Sequence, residues 1–253
     1  MKYIDTHAHL QDPRLMNQLN QLLDNADKAG VEKIIVVGYD LSSSEIAVNL
    51  TEHHQIFAGI GIHPHDAEKW NSRSYQQLKQ LARQEKVVAI GEVGLDNYYL
   101  HSSPEIQKKV FNIQIELAAE LNYPLIVHSR KAMAEVMEIL ENKNYNQVLL
   151  HSFEGNIVQA KQAVQKNYFL SFNGITTFKN SDRIQILKEI NLKNTVVETD
   201  CPYLAPVPMR GKLNQPSFIP YINNFIAGQL GVDPQFTAST FYHNSLKFFK
   251  IDE

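Results

Sequence analysis

Eight short apolar segments, most of them rich in β-branched residues, recur along this chain of 253 residues, and helical patterns fill the intervals between them. Continuous apolar runs of this kind are typical of parallel strands that are buried on both faces of a sheet. The predicted strands are Tyr3–His7, Lys33–Gly38, Phe57–His63, Val87–Glu92, Leu125–His128, Val148–His151, Phe169–Asn173 and Thr195–Asp200. Strands that alternate with helices indicate an α/β protein, and eight such units favour a closed (β/α)8 TIM barrel over an open doubly wound sheet.

The helical patterns differ in strength. The clearest helix is predicted from Pro104 to Leu121, because Ser103 can cap it and proline suits its first turn. Another is predicted from Pro13 to Ala29. The loop from Ala205 to Gln215 contains prolines and glycine and is predicted to be the most mobile segment. Because no internal repeat or linker interrupts the pattern, residues 1–253 are expected to form a single domain.

Composition restricts the kind of partner that the chain can take. The formal net charge is −3 and the sequence has no long basic run, whereas proteins that hold nucleic acid along a broad face usually carry a basic surplus. Any contact with DNA is therefore expected to be local and transient. No apolar run is long enough for a membrane span, and Asp5 interrupts any signal-peptide core. We expect a cytoplasmic protein without a membrane or an obligate protein partner.

His7 and His9 stand at the end of the first predicted strand as a His-x-His pair. Side chains alternate between the two faces of a strand, so Asp5, His7 and His9 are expected on one side. Two imidazoles that converge on one point are a ligand pair for zinc or its first-row neighbours. The pair alone is a short pattern, and half-buried histidines without a metal fit it equally well.

The other predicted strands strengthen the metal interpretation. In a barrel of this type the active site lies at the C-terminal ends of the strands. Polar side chains occur at that end of six predicted strands, namely His7 and His9, His63 and His65, Glu92, His128, His151, and Asp200. Buried polar groups each need a partner, and a shared cation would supply one to all of them.

The size of this set favours two cations over one. Four strand ends with histidine and two with a carboxylate offer more ligands than the four of a tetrahedral site. A bridging carboxylate would hold two cations about 3.5–4 Å apart, where they can polarise one water. Glu92 is the natural bridge, and Asp200 could ligate one metal while accepting a proton from the attacking water.

Four sequence blocks resemble the TatD family of metal-dependent hydrolases, within the amidohydrolase-like barrels, and the resemblance covers essentially the whole chain. The blocks are Ile4-Asp5-Thr6-His7-Ala8-His9-Leu10; Gly61-Ile62-His63-Pro64-His65 with Gly91-Glu92-Val93-Gly94-Leu95-Asp96; Pro124-Leu125-Ile126-Val127-His128-Ser129-Arg130; and Glu198-Thr199-Asp200-Cys201-Pro202-Tyr203-Leu204. The segment Arg210-Gly211-Lys212-Leu213-Asn214 is also similar.

The resemblance implies a division of the ligands between two metals. The first metal would be held by His7, His9, Glu92 and Asp200. The second would be held by Glu92, His128 and His151. Asp200 would also be the general base, so Asp200 and Glu92 are the expected catalytic residues.

Four further residues are candidates for contact with the substrate. The resemblance implies that His63 lies near a substrate phosphate. Arg130 could neutralise a phosphate oxygen, because guanidinium groups match phosphate geometry. Arg210 and Lys212 lie on the loop beside the site and could also contact phosphate. The alternative for Arg130 is a surface salt bridge, and the alternative for Arg210 and Lys212 is an ordinary solvated loop.

The family includes metal-dependent deoxyribonucleases with 3′→5′ exonuclease activity on single strands, and a minority branch removes D-amino acids from tRNA. We therefore expect a two-metal phosphodiesterase acting on DNA. Hydrolysis of another ester or amide, including the D-aminoacyl-tRNA ester, is the first alternative. A non-catalytic metal-binding barrel that offers a surface to partners is the second. The metals could be zinc, manganese or magnesium.

Overall fold

The computed structural model describes residues 1–253, and it confirms the predicted (β/α)8 barrel. Eight parallel strands form one sheet in which each strand pairs with the next along the chain. The strands are β1 (Tyr3–Ala8), β2 (Val31–Val37), β3 (Ile56–Ile60), β4 (Val87–Asp96), β5 (Leu125–Arg130), β6 (Val148–Leu150), β7 (Phe169–Phe172) and β8 (Thr195–Val197).

The barrel closes between β1 and the segment that follows β8. The N–H of Asp200 donates to the carbonyl of His7 at 2.9 Å, and the N–H of His9 donates to the carbonyl of Cys201 at 2.9 Å. Ala8 and Cys201 form a parallel bridge between these two segments. The closure therefore aligns the His-x-His pair with the aspartate after β8.

Ten α-helices surround the barrel, and three 3-10 helices occur at Pro64–Lys69, Gly174–Thr177 and Pro216–Phe218. The α-helices are α1 (Pro13–Met16), α2 (Leu19–Lys28), α3 (Leu41–Leu50), α4 (Ser74–Leu81), α5 (Pro104–Leu121), α6 (Met133–Asn142), α7 (Ile157–Gln165), α8 (Arg183–Ile190), α9 (Ile219–Leu230) and α10 (Pro234–Phe249). None of them combines the length and apolar character that a membrane span requires.

Local signals explain the helix that was best predicted. Helix α5 begins where expected, with Ser103 as N-cap and Pro104 in the first turn, and it ends at Asn122 in the left-handed conformation. The predicted helix from Pro13 to Ala29 is instead two helices, because Gln18 leaves helical dihedral angles, with φ −121° and ψ 12°.

Several strand ends differ from the sequence prediction, and the differences at β3 and β4 affect the site. Strand β3 stops at Ile60, so His63 lies in the loop beyond it. Strand β4 runs past Glu92 to Asp96. A Cβ at Gly94 would lie 2.0 Å from the carbonyl oxygen of His128, so glycine allows β4 to stay paired with β5 over this stretch.

The barrel interior is apolar below the site. Side chains that point inward from the strands pack with Phe248 and Phe249 at the end of α10. Phe248 contacts Phe169 at the start of β7, with ring centroids 5.0 Å apart. The aromatic pair Phe248 and Phe249 therefore lies at the N-terminal end of the barrel. The polar residues at the opposite end are therefore reached only from the C-terminal rim.

Candidate metal centre

His7, His9 and Asp200 meet where the barrel closes. The Nε2 atoms of His7 and His9 lie 3.2 Å apart, and Nε2 of His9 lies 3.5 Å from Oδ1 of Asp200. The three residues form one of the groups whose ligand atoms all lie within 4.8 Å of one another. The predicted convergence of the His-x-His pair with the aspartate after β8 is therefore present in the structure.

The hydrogen bonds of His9 show that its Nε2 faces the carboxylates of Asp200 and Glu92 as an acceptor. Its Nδ1–H donates to the carbonyl oxygen of Val37 at 2.8 Å, so Nε2 presents a lone pair to Asp200 and Glu92. Three acceptors that face one another need a proton or a cation between them. Burial alone lowers the pKa of His9, but the hydrogen bond to Asp200 and the charge of Glu92 raise it above its usual value.

Glu92 lies at the middle of the site. Its Oε1 is 2.8 Å from Nδ1 of His128, 3.0 Å from Nε2 of His151 and 3.4 Å from Nε2 of His63. Its Oε2 faces the other group and lies 3.5 Å from Nε2 of His7. Burial disfavours the charge of Glu92, but His63, His151 and His128 hold its pKa well below the usual range. One ionised carboxylate therefore joins the two halves of the site.

His151 is oriented by a second buried acid. Its Nδ1 lies 3.2 Å from Oε1 of Glu198 and its Nε2 lies 3.0 Å from Oε1 of Glu92, so with Nδ1–H on Glu198 the ring would offer Nε2 to a cation on the Glu92 side. The backbone N–H of Ser152 donates to the same Glu198 oxygen at 2.8 Å and fixes it. Burial opposes protonation of His151, yet the charges of Glu198 and Glu92 raise its pKa well above the usual value. Carboxylates commonly orient metal-binding imidazoles in this way.

Asp5 lies beneath the pair on β1 and does not reach the other ligands. Its carboxylate accepts hydrogen bonds from the backbone N–H and the hydroxyl of Thr199. Burial raises the pKa of Asp5 to about 8, although the Thr199 hydrogen bonds oppose the shift. Asp5 thus anchors β1 to the segment that carries Asp200.

His63 joins this site but differs from the other histidines in its hydrogen bonds. Its Nδ1 accepts the backbone N–H of His65 at 3.0 Å. In a neutral imidazole the proton must then be on Nε2, which points at Glu92 and is a donor rather than a metal ligand. Burial lowers the pKa of His63 to about 4, so the neutral form dominates near pH 7.

The site opens into a cleft of 820 Å³ at the rim of the barrel. His9, His63, Glu92, His128, His151 and Asp200 all contribute to its lining. Arg130 also lines the cleft, and its guanidinium group contacts two adjoining aromatic rings, 4.4 Å from the ring centre of Tyr98 and 4.5 Å from that of Tyr99. A stacked guanidinium keeps its N–H groups free for another acceptor.

Arg210 and Lys212 are placed differently from Arg130. The guanidinium of Arg210 lies 3.9 Å from the ring centre of Phe178, and neither Arg210 nor Lys212 is among the residues that line the cleft. Their contact with substrate stays a prediction. Asn214, in the same loop, is fully buried and donates to the carbonyl oxygens of Thr199 and Tyr203.

Sequence reasoning gave no role to several residues of the cleft region, among them Asp96 and Arg183. Asp96 lies behind His128, because β4 is longer than predicted. Arg183 lines the cleft from the start of α8, outside the blocks that drew attention. A signal for Asp96 was present, since a lone carboxylate after the apolar residues Val93 and Leu95 is typical of a strand end facing a site.

The residues present fit divalent metals. Imidazole nitrogens and carboxylate oxygens suit zinc and manganese, and carboxylates also admit magnesium. The acceptors at His9, Glu92 and Asp200 face one another without an intervening donor from the chain other than a proton on the histidine itself. Together, fold and site define a (β/α)8 barrel of the metal-dependent hydrolase class.

Comparison with known proteins identifies the family. A family model described as TatD related DNase matches residues 4–250, and the chain belongs to this TatD family of metal-dependent hydrolases. The Bacillus subtilis protein named "Uncharacterized metal-dependent hydrolase YabD" is 38% identical over 252 residues, which cover 98% of this chain and 99% of the relative. The Escherichia coli K12 "Uncharacterized metal-dependent hydrolase YcfH" is 32% identical over 259 residues, covering 100% and 97%.

A solved structure agrees with the fold. The crystal structure of YJJV, a TatD homologue from Escherichia coli K12, superposes with a TM-score of 0.93 at 27% sequence identity. The match covers 99% of this chain and 98% of that one. The predicted resemblance to the TatD family is therefore confirmed, and with it the assignment as a metal-dependent hydrolase.

Proposed function

We propose that the protein is a metal-dependent phosphodiesterase that acts on DNA, as a 3′→5′ exonuclease on single strands. The observation that carries the proposal is the convergence of imidazoles on both oxygens of the single buried carboxylate of Glu92, with His7 and His9 facing Oε2 and His128 and His151 facing Oε1, at the floor of an open cleft. The name of the family, TatD related DNase, supports DNA as the substrate. The net charge of −3 is in keeping with transient contact to a short end of a strand.

The proposed metal ligands follow the two halves of the site. One divalent cation would be held by His7, His9, Glu92 and Asp200, and a second by Glu92, His128 and His151. Bound there, zinc, manganese or magnesium would supply Lewis-acid polarisation of a phosphate oxygen and a water of lowered pKa.

The protein side chains have separate tasks in this proposal. Asp200 accepts the proton of the attacking water at its carboxylate, because His9 holds its pKa below the usual range despite burial and keeps it ionised. His63 shares its Nε2–H, 3.4 Å from Oε1 of Glu92, with a phosphate oxygen. Arg130 binds another phosphate oxygen from the wall of the cleft, since its guanidinium is stacked on rings rather than paired with a carboxylate.

The test is a substrate panel with the metal-loaded protein. A single strand of DNA with a 5′ label should be shortened stepwise from its 3′ end with release of mononucleotides, and chelation with EDTA should stop the reaction until metal is restored. The same preparation is given RNA and D-aminoacyl-tRNA. Release of an amino acid without release of mononucleotides would replace the phosphodiesterase with an ester hydrolase. Tight metal binding without any hydrolysis would favour a non-catalytic barrel.

Replacement of Arg130 by alanine is expected to raise KM for the DNA strand about 10- to 100-fold, because a hydrogen bond to a charged group is worth about 1.5–3 kcal/mol. Bound metal should not change, since Arg130 touches the aromatic rings of Tyr98 and Tyr99 rather than the candidate ligands. Steady-state kinetics and elemental analysis measure the two quantities.

The comparison variant is Arg210→Ala. Arg210 packs on Phe178 outside the cleft lining, so its removal should raise KM less than the removal of Arg130. An equal or larger effect at Arg210 would show that the loop from Ala205 to Gln215 supplies the main phosphate contact instead.

A further inference from the structure

Asp96 is a fully buried carboxylate at the end of β4, one layer behind the candidate metal centre. Its two oxygens serve different neighbours. Oδ1 accepts the backbone N–H groups of Tyr98 at 2.8 Å and Tyr99 at 2.9 Å. Oδ2 accepts Nε2–H of His65 at 2.7 Å and lies 3.3 Å from Nε2 of His128. One side chain therefore contacts both the aromatic wall of the cleft and a histidine beside Glu92.

His128 lies between two carboxylates, with Nε2 3.3 Å from Oδ2 of Asp96 and Nδ1 2.8 Å from Oε1 of Glu92. A cation on the Glu92 side would take the lone pair of Nδ1. The proton of the neutral ring would then be on Nε2, where Asp96 can only accept it. His151 reaches the same oxygen through Nε2, with its Nδ1–H on Glu198. Two histidines thus use opposite nitrogens, and in each case a buried acid fixes the choice.

The backbone of Asp96 is held independently of these contacts. Its N–H donates to Oε1 of Gln107 at 2.8 Å, and Nε2 of Gln107 donates back to its carbonyl oxygen at 3.1 Å. Gln107 is itself buried in α5. The carboxylate is therefore presented from a rigid support, as a group that orients a ligand requires.

We propose that Asp96 is a positioning residue that fixes the tautomer of His128 for metal binding through Nδ1 and holds the Tyr98–Tyr99 segment, and with it the stacked Arg130, at the wall of the cleft. The inference rests on the proposed metal centre but not on the identity of the substrate. In this role one carboxylate positions both His128 at the metal centre and the wall of the cleft that carries Arg130.

The Asp96→Asn variant separates the two parts of this role. The amide oxygen can still accept from the N–H groups of Tyr98 and Tyr99, whereas its NH2 group would face His128 and His65 as a donor. His128 would then accept at Nε2 and carry its proton on Nδ1, toward Glu92. Loss of a partner of this kind typically weakens metal binding about 10- to 100-fold.

The experiment is calorimetric titration of the metal-free protein with Mn²⁺, for the wild type and for Asp96→Asn. Two binding steps are expected in the wild type. In Asp96→Asn the step that depends on His128 should weaken about 10- to 100-fold, while the step at His7, His9 and Asp200 keeps its Kd. Asp66→Asn is the matched control: Asp66 is another carboxylate of the cleft lining, paired with Lys69 at 2.6 Å, and its loss should leave both steps unchanged.

The outcomes distinguish this inference from the proposed function. Unchanged binding in Asp96→Asn, or equal weakening of both steps, overturns the role of Asp96. A wild type that binds fewer than two cations overturns both proposals. If the wild type binds two cations and Asp96→Asn loses one step selectively, the inference stands even where DNA is not cleaved. The Asp96→Ala variant extends the test, since it also releases Tyr98 and Tyr99 and should add a rise in KM that Asp96→Asn lacks.

Discussion

Replacement of Glu92 by alanine is expected to abolish hydrolysis and to lower bound metal. Glu92 is the carboxylate common to both groups, with Oε1 2.8 Å from His128 and Oε2 3.5 Å from His7. Its removal leaves imidazoles facing one another around an empty volume, with Asp200 as the remaining negative charge beside them. Loss of one such electrostatic element alone costs about 10²–10³ in rate, and loss of the cations adds to that. Elemental analysis and steady-state rates measure the two effects.

Glu92→Gln is the matched control for this substitution. Glutamine keeps the volume of the side chain and one acceptor oxygen but removes the charge, so the comparison separates charge from packing. We expect Glu92→Gln to be nearly as inactive as Glu92→Ala while melting closer to the wild type, because no cavity is left. Hydrolysis at the normal rate in either variant would remove Glu92 from the mechanism.

The sequence was sufficient for the fold and for the set of residues at the rim. Buried parallel strands leave a strong apolar pattern, and parallel strands bring their C-terminal ends to one edge, so the sequence alone places His7, Glu92, His128 and His151 together. The structure does bring them together. The sequence pattern was sufficient for this grouping because the grouping depends on the direction of the strands and not on the detailed geometry of side chains.

Finer features could not be obtained in this way. The proton of His63 is on Nε2 because the backbone N–H of His65 approaches Nδ1, and no pattern of residue types reports such a contact. Asp96 was given no role because Glu92 and Gly94 interrupt the apolar run in which β4 continues. Arg210 was grouped with the site by its proximity in sequence, whereas the chain folds it onto Phe178. Contacts of these kinds depend on loop paths and register.

Replacement of Asp200 by asparagine is expected to lower kcat about 10²- to 10⁴-fold, the usual contribution of a positioned general base, while most of the bound metal is retained. Asparagine can still offer an oxygen toward the position that Oδ1 occupies, 3.5 Å from Nε2 of His9, but it cannot take up a proton. His7, His9 and Glu92 remain as ligands. Single-turnover rates on a 5′-labelled strand, together with elemental analysis of the same preparation, measure both effects.

Asparagine tests the role of the Asp200 carboxylate better than alanine does, because it also suits the backbone conformation at this position. Asp200 has φ of +55°, a left-handed conformation that asparagine adopts as readily as aspartate and alanine does not. Its N–H also closes the barrel by donating to the carbonyl of His7. A loss of activity in Asp200→Asn with an unchanged melting temperature therefore reports on proton transfer and not on the barrel. Activity that survived with metal still bound would contradict the role of Asp200 as base and move that role to another group in the cleft.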